Sequence, residues 1–343
     1  MRTLRDLFEL VVSTLPPHKE LQRMRAGQEW RTVTVREFER ATRATAARLA
    51  QLGVHAGDRV ALFVENRPEW HWVDFACHLL AAVPVPLYAT LPASQVSYIV
   101  ADSGARLLLV LGRERARVAV EAVRSLPGVR VVGIDSGLHP EVPGLGDMPL
   151  PKEAPVSPPL APSDLASLIY TSGTTGEPKG VMLTHANFVS QVESATPLFP
   201  ITRADVVMSF LPLSHVYERT VDYIFLRAGA QITYVESIER VPTQLPEIRP
   251  TIMVSVPRLF ERSYIKIISK VRQEGGARRR LFEWALRVGR EVREAEWRGQ
   301  RASAFLRGQL NFARRRIFSK VLERMGGRLR FCISGGAPLA HEV

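Results

Sequence analysis

Residues 170–180 read Tyr-Thr-Ser-Gly-Thr-Thr-Gly-Glu-Pro-Lys-Gly, directly after an apolar stretch. Glycines let a backbone turn tightly enough for successive N–H groups to point at one anion. Thr171, Ser172, Thr174 and Thr175 add hydroxyl donors, Gly173 and Gly176 supply the turns, and Lys179 supplies a full positive charge. A polyphosphate is the ligand that such a loop suits best. The spacing is not that of the common P-loop, which needs Gly-x4-Gly-Lys-Ser/Thr. Here Gly173 and Gly176 are three apart and Lys179 is followed by Gly180. A plain flexible turn would also use Gly, Ser and Thr, but the lysine and the density of hydroxyls set this one apart.

Two further segments could join it. The run Phe210-Leu-Pro-Leu-Ser-His-Val-Tyr-Glu-Arg219 holds one histidine, His215, among apolar and hydroxyl residues. Taken alone, His215 could cap an element or donate to a backbone carbonyl, and Glu218 and Arg219 could pair with each other on a helix surface. The run Ser334-Gly-Gly-Ala-Pro-Leu339 follows an apolar stretch, and Gly335 and Gly336 could be only a tight turn. Ser263-x-x-Lys266 has the spacing of a Ser-x-x-Lys nucleophile, but it lies in a basic helix without a partner motif. No Gly-x-Ser-x-Gly, His-Glu-x-x-His or Gly-x-Gly-x-x-Gly run occurs, which removes the esterase, zincin and dinucleotide-fold readings.

The sixteen residues 170–185, ending Val-Met-Leu-Thr-His, resemble the signature of the adenylate-forming superfamily, which includes acyl-CoA synthetases, luciferases and peptide-synthetase adenylation domains. Residues 210–219 resemble its second motif, and residues 334–339 resemble its adenine loop. Together with Val256-Pro-Arg-Leu-Phe-Glu-Arg262, the form of the second motif is most similar to the long-chain fatty acyl-CoA synthetase branch.

The resemblance implies layered, mostly parallel α/β sheets flanked by helices, and a ligase acting in two steps. ATP and a fatty acid would give an acyl-adenylate and pyrophosphate, and CoA would then take the acyl group as a thioester. Thr171, Ser172, Gly173, Thr174, Thr175, Gly176 and Lys179 would hold the β and γ phosphates, where charge builds as pyrophosphate departs. His215 would position the carboxylate or the α-phosphate, so His215 and Lys179 are the candidate catalytic residues. Ser334, Gly335, Gly336, Ala337 and Pro338 would lie against adenine. The family's magnesium-linked glutamate, its ribose-binding aspartate and a small C-terminal domain with a catalytic lysine would fall beyond Val343. No metal ligand is therefore expected within these residues. The expectation is an N-terminal fragment, weak or inactive by itself. The alternatives are a ligase for an aryl, short-chain or amino acid, or a basic module of another class.

The elements that must position these residues follow from periodicity. Thr34 reads as an N-cap, and Val35, Phe38, Ala41, Thr45 and Leu49 follow at helical spacing until Gly53. Strands are predicted over 58–64, 106–111 and 129–134, with helices opened by Pro68 and spanning 114–125 between them. Strands separated by helices of this length imply a parallel, doubly wound sheet. Residues 140–163 carry eight of the 24 prolines and read as a linker between subdomains 1–139 and 164–343. Beyond it, strands are predicted over 165–170, 181–183, 205–211, 231–235 and 251–256, a helix over 185–195, another between 211 and 231, and a closing strand over 328–333. On a long helix between Ala277 and Trp297, the apolar stripe is predicted to be Leu281, Trp284, Ala285, Val288 and Val292.

Composition sets outer bounds. With 46% hydrophobic and 23% charged residues among 343, the chain is globular, and at this length more than one core is expected. Two cysteines, Cys77 and Cys332, make neither a disulfide framework nor a zinc pair, which suits a reducing cytoplasm. No stretch reaches the roughly 18 apolar residues of a membrane span, and Asp6 and Glu9 interrupt any secretory leader. Residues 258–330 hold 21 basic against 7 acidic side chains, whereas the remainder is nearly neutral. That stretch is either a solvated helical face or a contact for an anionic membrane at the inner face, with nucleic acid disfavoured because no recognised motif accompanies the charge. The sequence leaves the oligomeric state open.

Overall fold

The structure is a computed structural model that describes residues 1–151, 155–171, 177–235, 237–274 and 276–340. The chain divides into two compact units, residues 1–238 and 239–343.

The first unit opens with α1 (Leu4–Thr14), which buries Leu4, Leu7, Phe8 and Val11 on one face and starts at a Thr3–Asp6 capping box. An antiparallel pair follows, β1 (Glu20–Ala26) and β2 (Glu29–Thr34). Thr34 caps α2 (Val35–Gln51) as predicted: its hydroxyl accepts the Glu37 N–H while the Glu37 carboxylate accepts the Thr34 N–H. The predicted elements then appear as β3 (Arg59–Phe63), α3 (Pro68–Leu79), β5 (Leu107–Val110), α5 (Arg113–Val123) and β6 (Arg130–Gly133), and between α3 and β5 the chain adds two that were not predicted, β4 (Val83–Pro86) and α4 (Ala93–Ser103). The strands lie parallel in the order β4-β3-β5-β6. Every residue of β5, and all of β3 after Arg59, is buried, as expected of a parallel sheet covered on both faces. Pro84 and Pro86 cannot donate to a ladder, which is why their strand, β4, sits at the edge of this sheet.

The proline-rich stretch runs within the first unit. Arg48 donates to the Met148 carbonyl at 3.2 Å and Arg5 to the Pro158 carbonyl at 2.7 Å. After it, β7 (Leu165–Thr171) and β8 (Lys179–Thr184) form an antiparallel hairpin rather than another parallel step. Next come α6 (His185–Ala195), β9 (Val206–Ser209), α7 (Val216–Ala228) and β10 (Gln231–Tyr234). Here β9, β10, β1 and β2 lie side by side in that order, the first three parallel.

The second unit contains α8 (Val241–Ile248), β11 (Ile252–Ser255), α9 (Pro257–Glu274), α10 (Gly276–Trp297), α11 (Ala304–Arg316), α12 (Ser319–Arg324) and β12 (Phe331–Ser334), with β11 and β12 parallel. The stripe on α10 differs from the expectation. Phe282, Ala285, Val288 and Val292 are buried, while Leu281 is exposed and Trp284 half-buried. Phe282 turns inward because its ring meets that of Phe318 edge-on, with centroids 5.6 Å apart.

Candidate functional site

A cleft of about 810 Å³ opens at the carboxyl ends of β4 and β7. Its walls come from Pro86–Tyr88 at the end of β4, from Tyr98 and Ile99 on α4, from Ile169–Thr171 at the end of β7, from Glu177 and Pro178 leading into β8, and from His215 and Val216 at the start of α7. The carboxyl end of parallel strands is where open α/β sheets place ligands, and the volume suits a small molecule.

The hairpin β7–β8 carries the predicted polyphosphate loop. Thr171 pairs with Lys179 across the last rung, so both ends of the loop are fixed, and both side chains are exposed. Ser172, Gly173, Thr174, Thr175 and Gly176 lie outside the described residues. The base of the hairpin is bolted to α4 by two tyrosines. Tyr98 donates its hydroxyl to the Pro178 carbonyl at 3.1 Å, and Tyr170 donates to the Asp102 carboxylate at 2.5 Å. Burial and the Asp102 carboxylate push the Tyr170 hydroxyl far above its ordinary pKa, so it remains a donor. Gly180, opposite Tyr170 in the ladder, leaves room for that ring: a Cβ there would stand 3.1 Å from Tyr170 Cζ.

His215 is the N-cap of α7, and its Nδ1 accepts the Tyr217 N–H at 3.1 Å. With Nδ1 accepting, the neutral ring carries its proton on Nε2, leaving a donor on a residue that lines the cleft. The capping alternative and the functional one are therefore compatible. The preceding loop is pinned from two sides. Asn66, just past β3, donates to the Leu211 carbonyl at 2.6 Å and accepts the Leu213 N–H at 3.1 Å, and the Glu218 carboxyl accepts the Phe210 N–H at 3.1 Å.

The notion of Glu218 and Arg219 pairing on a helix surface fails, because both are buried. Burial, with the nearby Asp222 adding to it, raises the Glu218 carboxyl well above its ordinary pKa. Arg219 instead faces Asp74, Tyr223 and Ser167. A helical wheel would have found this: positions 218, 219, 222, 223, 225 and 226 share one face of α7 and are all buried, with Ile224 buried outside that face.

In the second unit, Ser334 ends β12, the Gly335 N–H donates to the Ser255 carbonyl at 3.2 Å, and Gly336 takes φ +82°, a conformation that favours glycine. Gly336, Ala337 and Pro338 are exposed. Tight turn and exposed rim thus coexist. Among the described residues no three His, Cys, Asp or Glu side chains gather as a metal site. Asn66, Tyr98, Asp102 and Tyr170 went unread as site residues, because pairs 68 to 147 positions apart leave no local pattern.

This layered, mostly parallel α/β fold is that of the N-terminal domains of adenylate-forming enzymes. Residues 11–343 match the family described as AMP-binding enzyme, and the chain belongs to that family. It is 33% identical to the peroxisomal long chain acyl-CoA synthetase 6 of Arabidopsis thaliana, over 99% of this chain and 50% of that protein. With a long-chain-fatty-acid–CoA ligase of Mycobacterium bovis it shares 34% identity over 92% of this chain and 53% of that one. The chain thus spans about half the length of these relatives. Among solved structures, the adenylation domain of a carboxylate reductase from Mycobacterium chelonae superposes with a TM-score of 0.74 at 22% identity, covering 99% of this chain and 55% of that one. At that identity the likeness concerns the fold alone.

Proposed function

We propose that this chain carries the ATP- and acid-binding part of a long-chain fatty acid–CoA ligase. A carboxylate resists attack because it is negative. In the proposed first step one of its oxygens attacks the α-phosphorus of ATP, the bond to pyrophosphate breaks, and a mixed anhydride with AMP forms. In the second, a CoA thiol attacks the acyl carbon, loses its proton and expels AMP. The first step brings two anions together, so positive charge and oriented donors must be in place beforehand. Lys179 and the loop it closes meet that need at the departing pyrophosphate, and the Nε2–H of His215 meets it at the carboxylate or α-phosphate. Ser334–Pro338 is assigned to adenine by its motif.

The observation that carries this reading is the single cleft lined by both flanks of the loop and by His215. The rest of its wall includes Leu87, Leu91, Ile99, Ile169 and Val216, which favours an acid with an alkyl chain over one with a polar or charged side group. The names of the relatives point the same way. Calorimetric titration of the chain with acids in the presence of a non-hydrolysable ATP analogue tests it. Hexadecanoate should bind at least tenfold more tightly than acetate, benzoate or leucine, and a preference for any of the latter would move the assignment to another acid.

The arginine-rich second unit favours a peripheral place at the anionic inner membrane face of the cytoplasm. Trp297 is 92% and Phe305 76% exposed within that basic stretch. Aromatic side chains among arginines suit a lipid interface better than open water.

A further inference from the structure

Arg219 lies on the second turn of α7 with no exposed surface, in the same unit as the cleft but outside its lining. Its guanidinium reaches in three directions. Nη2 donates to Asp74 on α3, Nε donates to the Tyr223 hydroxyl at 2.7 Å, and Nη1 donates to the Ser167 hydroxyl on β7 at 2.7 Å. The acceptors are themselves oriented: Tyr223 donates onward to Asp74, and Ser167 donates onward to the Pro84 carbonyl of β4 at 2.8 Å. The Arg219 guanidinium carbon also lies 5.0 Å from the Phe188 ring centroid and 5.3 Å from that of Trp70.

Of the four elements joined here, α3, β4, β7 and α7, the last three border the cleft. Pro84 stands two residues before Pro86, Ser167 four before Thr171, and Arg219 four after His215, whose carbonyl accepts the Arg219 N–H at 3.2 Å. Through one rigid strand or helical turn each, a shift at the guanidinium reaches the wall of the site.

A buried ion pair is a poor way to gain stability, since apolar residues of similar volume often serve as well or better. A five-donor fork does something they cannot: it fixes several partners in direction and distance at once. We propose that Arg219 is a positioning residue, holding β4, β7 and α7 in the mutual arrangement that the loop and His215 require to bind the triphosphate and the acid. The proposal rests on the ligase reading given above for its ligands, though not for its geometry.

The test uses Asp74→Leu/Arg219→Met, which removes both charges, and Arg219→Lys, which keeps the charge and loses the fork. Calorimetry with ATP, thermal unfolding and amide hydrogen exchange are measured on the wild-type chain and both variants. The double variant should keep a thermal midpoint close to wild type, bind ATP at least tenfold more weakly, and exchange at least tenfold faster over 165–171 and 210–217 but not elsewhere. Arg219→Lys should show the same pattern to a smaller degree. A double variant that binds ATP and protects those amides as the wild type does would overturn the proposal. Should the double variant not fold, Arg219→Lys decides by the same two readouts. If the wild-type chain binds no ATP, the ligase reading falls, and the exchange pattern alone supports or overturns the positioning role.

Discussion

Side chains far apart in sequence set the geometry of the loop base. Tyr170 is held at its hydroxyl by Asp102 and at its ring by Gly180, while Tyr98 holds the Pro178 carbonyl. Gly180 has a role distinct from the loop glycines: it gives space to an aromatic ring whose far end cannot yield. In Gly180→Ala the new methyl would meet Tyr170 Cζ at 3.1 Å. Overpacking of this kind costs about 1–3 kcal/mol. Urea unfolding should register a loss of that size, and ATP affinity should fall with it; a variant equal to wild type in both would show that the ring contact is slack. The motif was legible here because glycines, hydroxyls and a lysine are contiguous. Its supports, Tyr98 and Asp102, were not, since a hydrogen bond between distant residues imposes no spacing.

At the scale of elements, a cap or proline in the first turn made some helix starts legible, whereas the Thr3 box of α1 and the Ser303 cap of α11 were not read. Thr34, Pro68 and His185 each begin a helix as predicted. Missed were α1, the β1–β2 pair, β4, α4 and α8. Leu4, Leu7, Phe8 and Val11 do follow helical spacing, but β1 and β2 are part-exposed and lack the apolar run that revealed β3 and β5. One joint between elements is sensitive to acid. His185, the first residue of α6, accepts the Leu4 N–H of α1 on Nδ1 at 3.2 Å. Burial, with His78, Arg219 and Arg5 nearby, lowers its pKa from 6.5 to about 2. The unfolded chain takes up this proton near pH 6.5 and the folded one does not. Its contribution is therefore complete above about pH 6.5 and lost progressively as the pH falls, at roughly 1.4 kcal/mol per pH unit. Glu218 and Asp222, both raised by burial, work in the opposite sense, losing stability as the pH rises above the carboxylate range. Comparison with His185→Gln isolates the histidine. Between pH 6.5 and 5 the variant should lose about 1.5 kcal/mol less than wild type in urea titrations, and parallel pH profiles would contradict the assignment.

For the whole molecule, charge was readable by counting, but its use depends on which apolar groups stay outside. Counting located the excess of arginine over 258–330, whereas the exchange of Leu281 for Phe282 on the buried face of α10 depends on a ring, Phe318, 36 positions away. The peripheral-membrane reading predicts that phosphatidylglycerol vesicles sediment with the chain at low salt and release it at high salt, since contacts of this type are screened within about a Debye length. Indifference to the vesicles, or equal retention by duplex DNA, would remove it.

The central claim is that the hairpin β7–β8 presents its turn to the tail of a nucleoside triphosphate. Calorimetric titration of the chain with ATP and, separately, with AMP reads it directly, with Lys179→Met alongside. The account predicts ATP binding at least tenfold tighter than AMP, and loss of most of that difference in Lys179→Met. Equal affinity for the two nucleotides, or a difference untouched by the substitution, would contradict it.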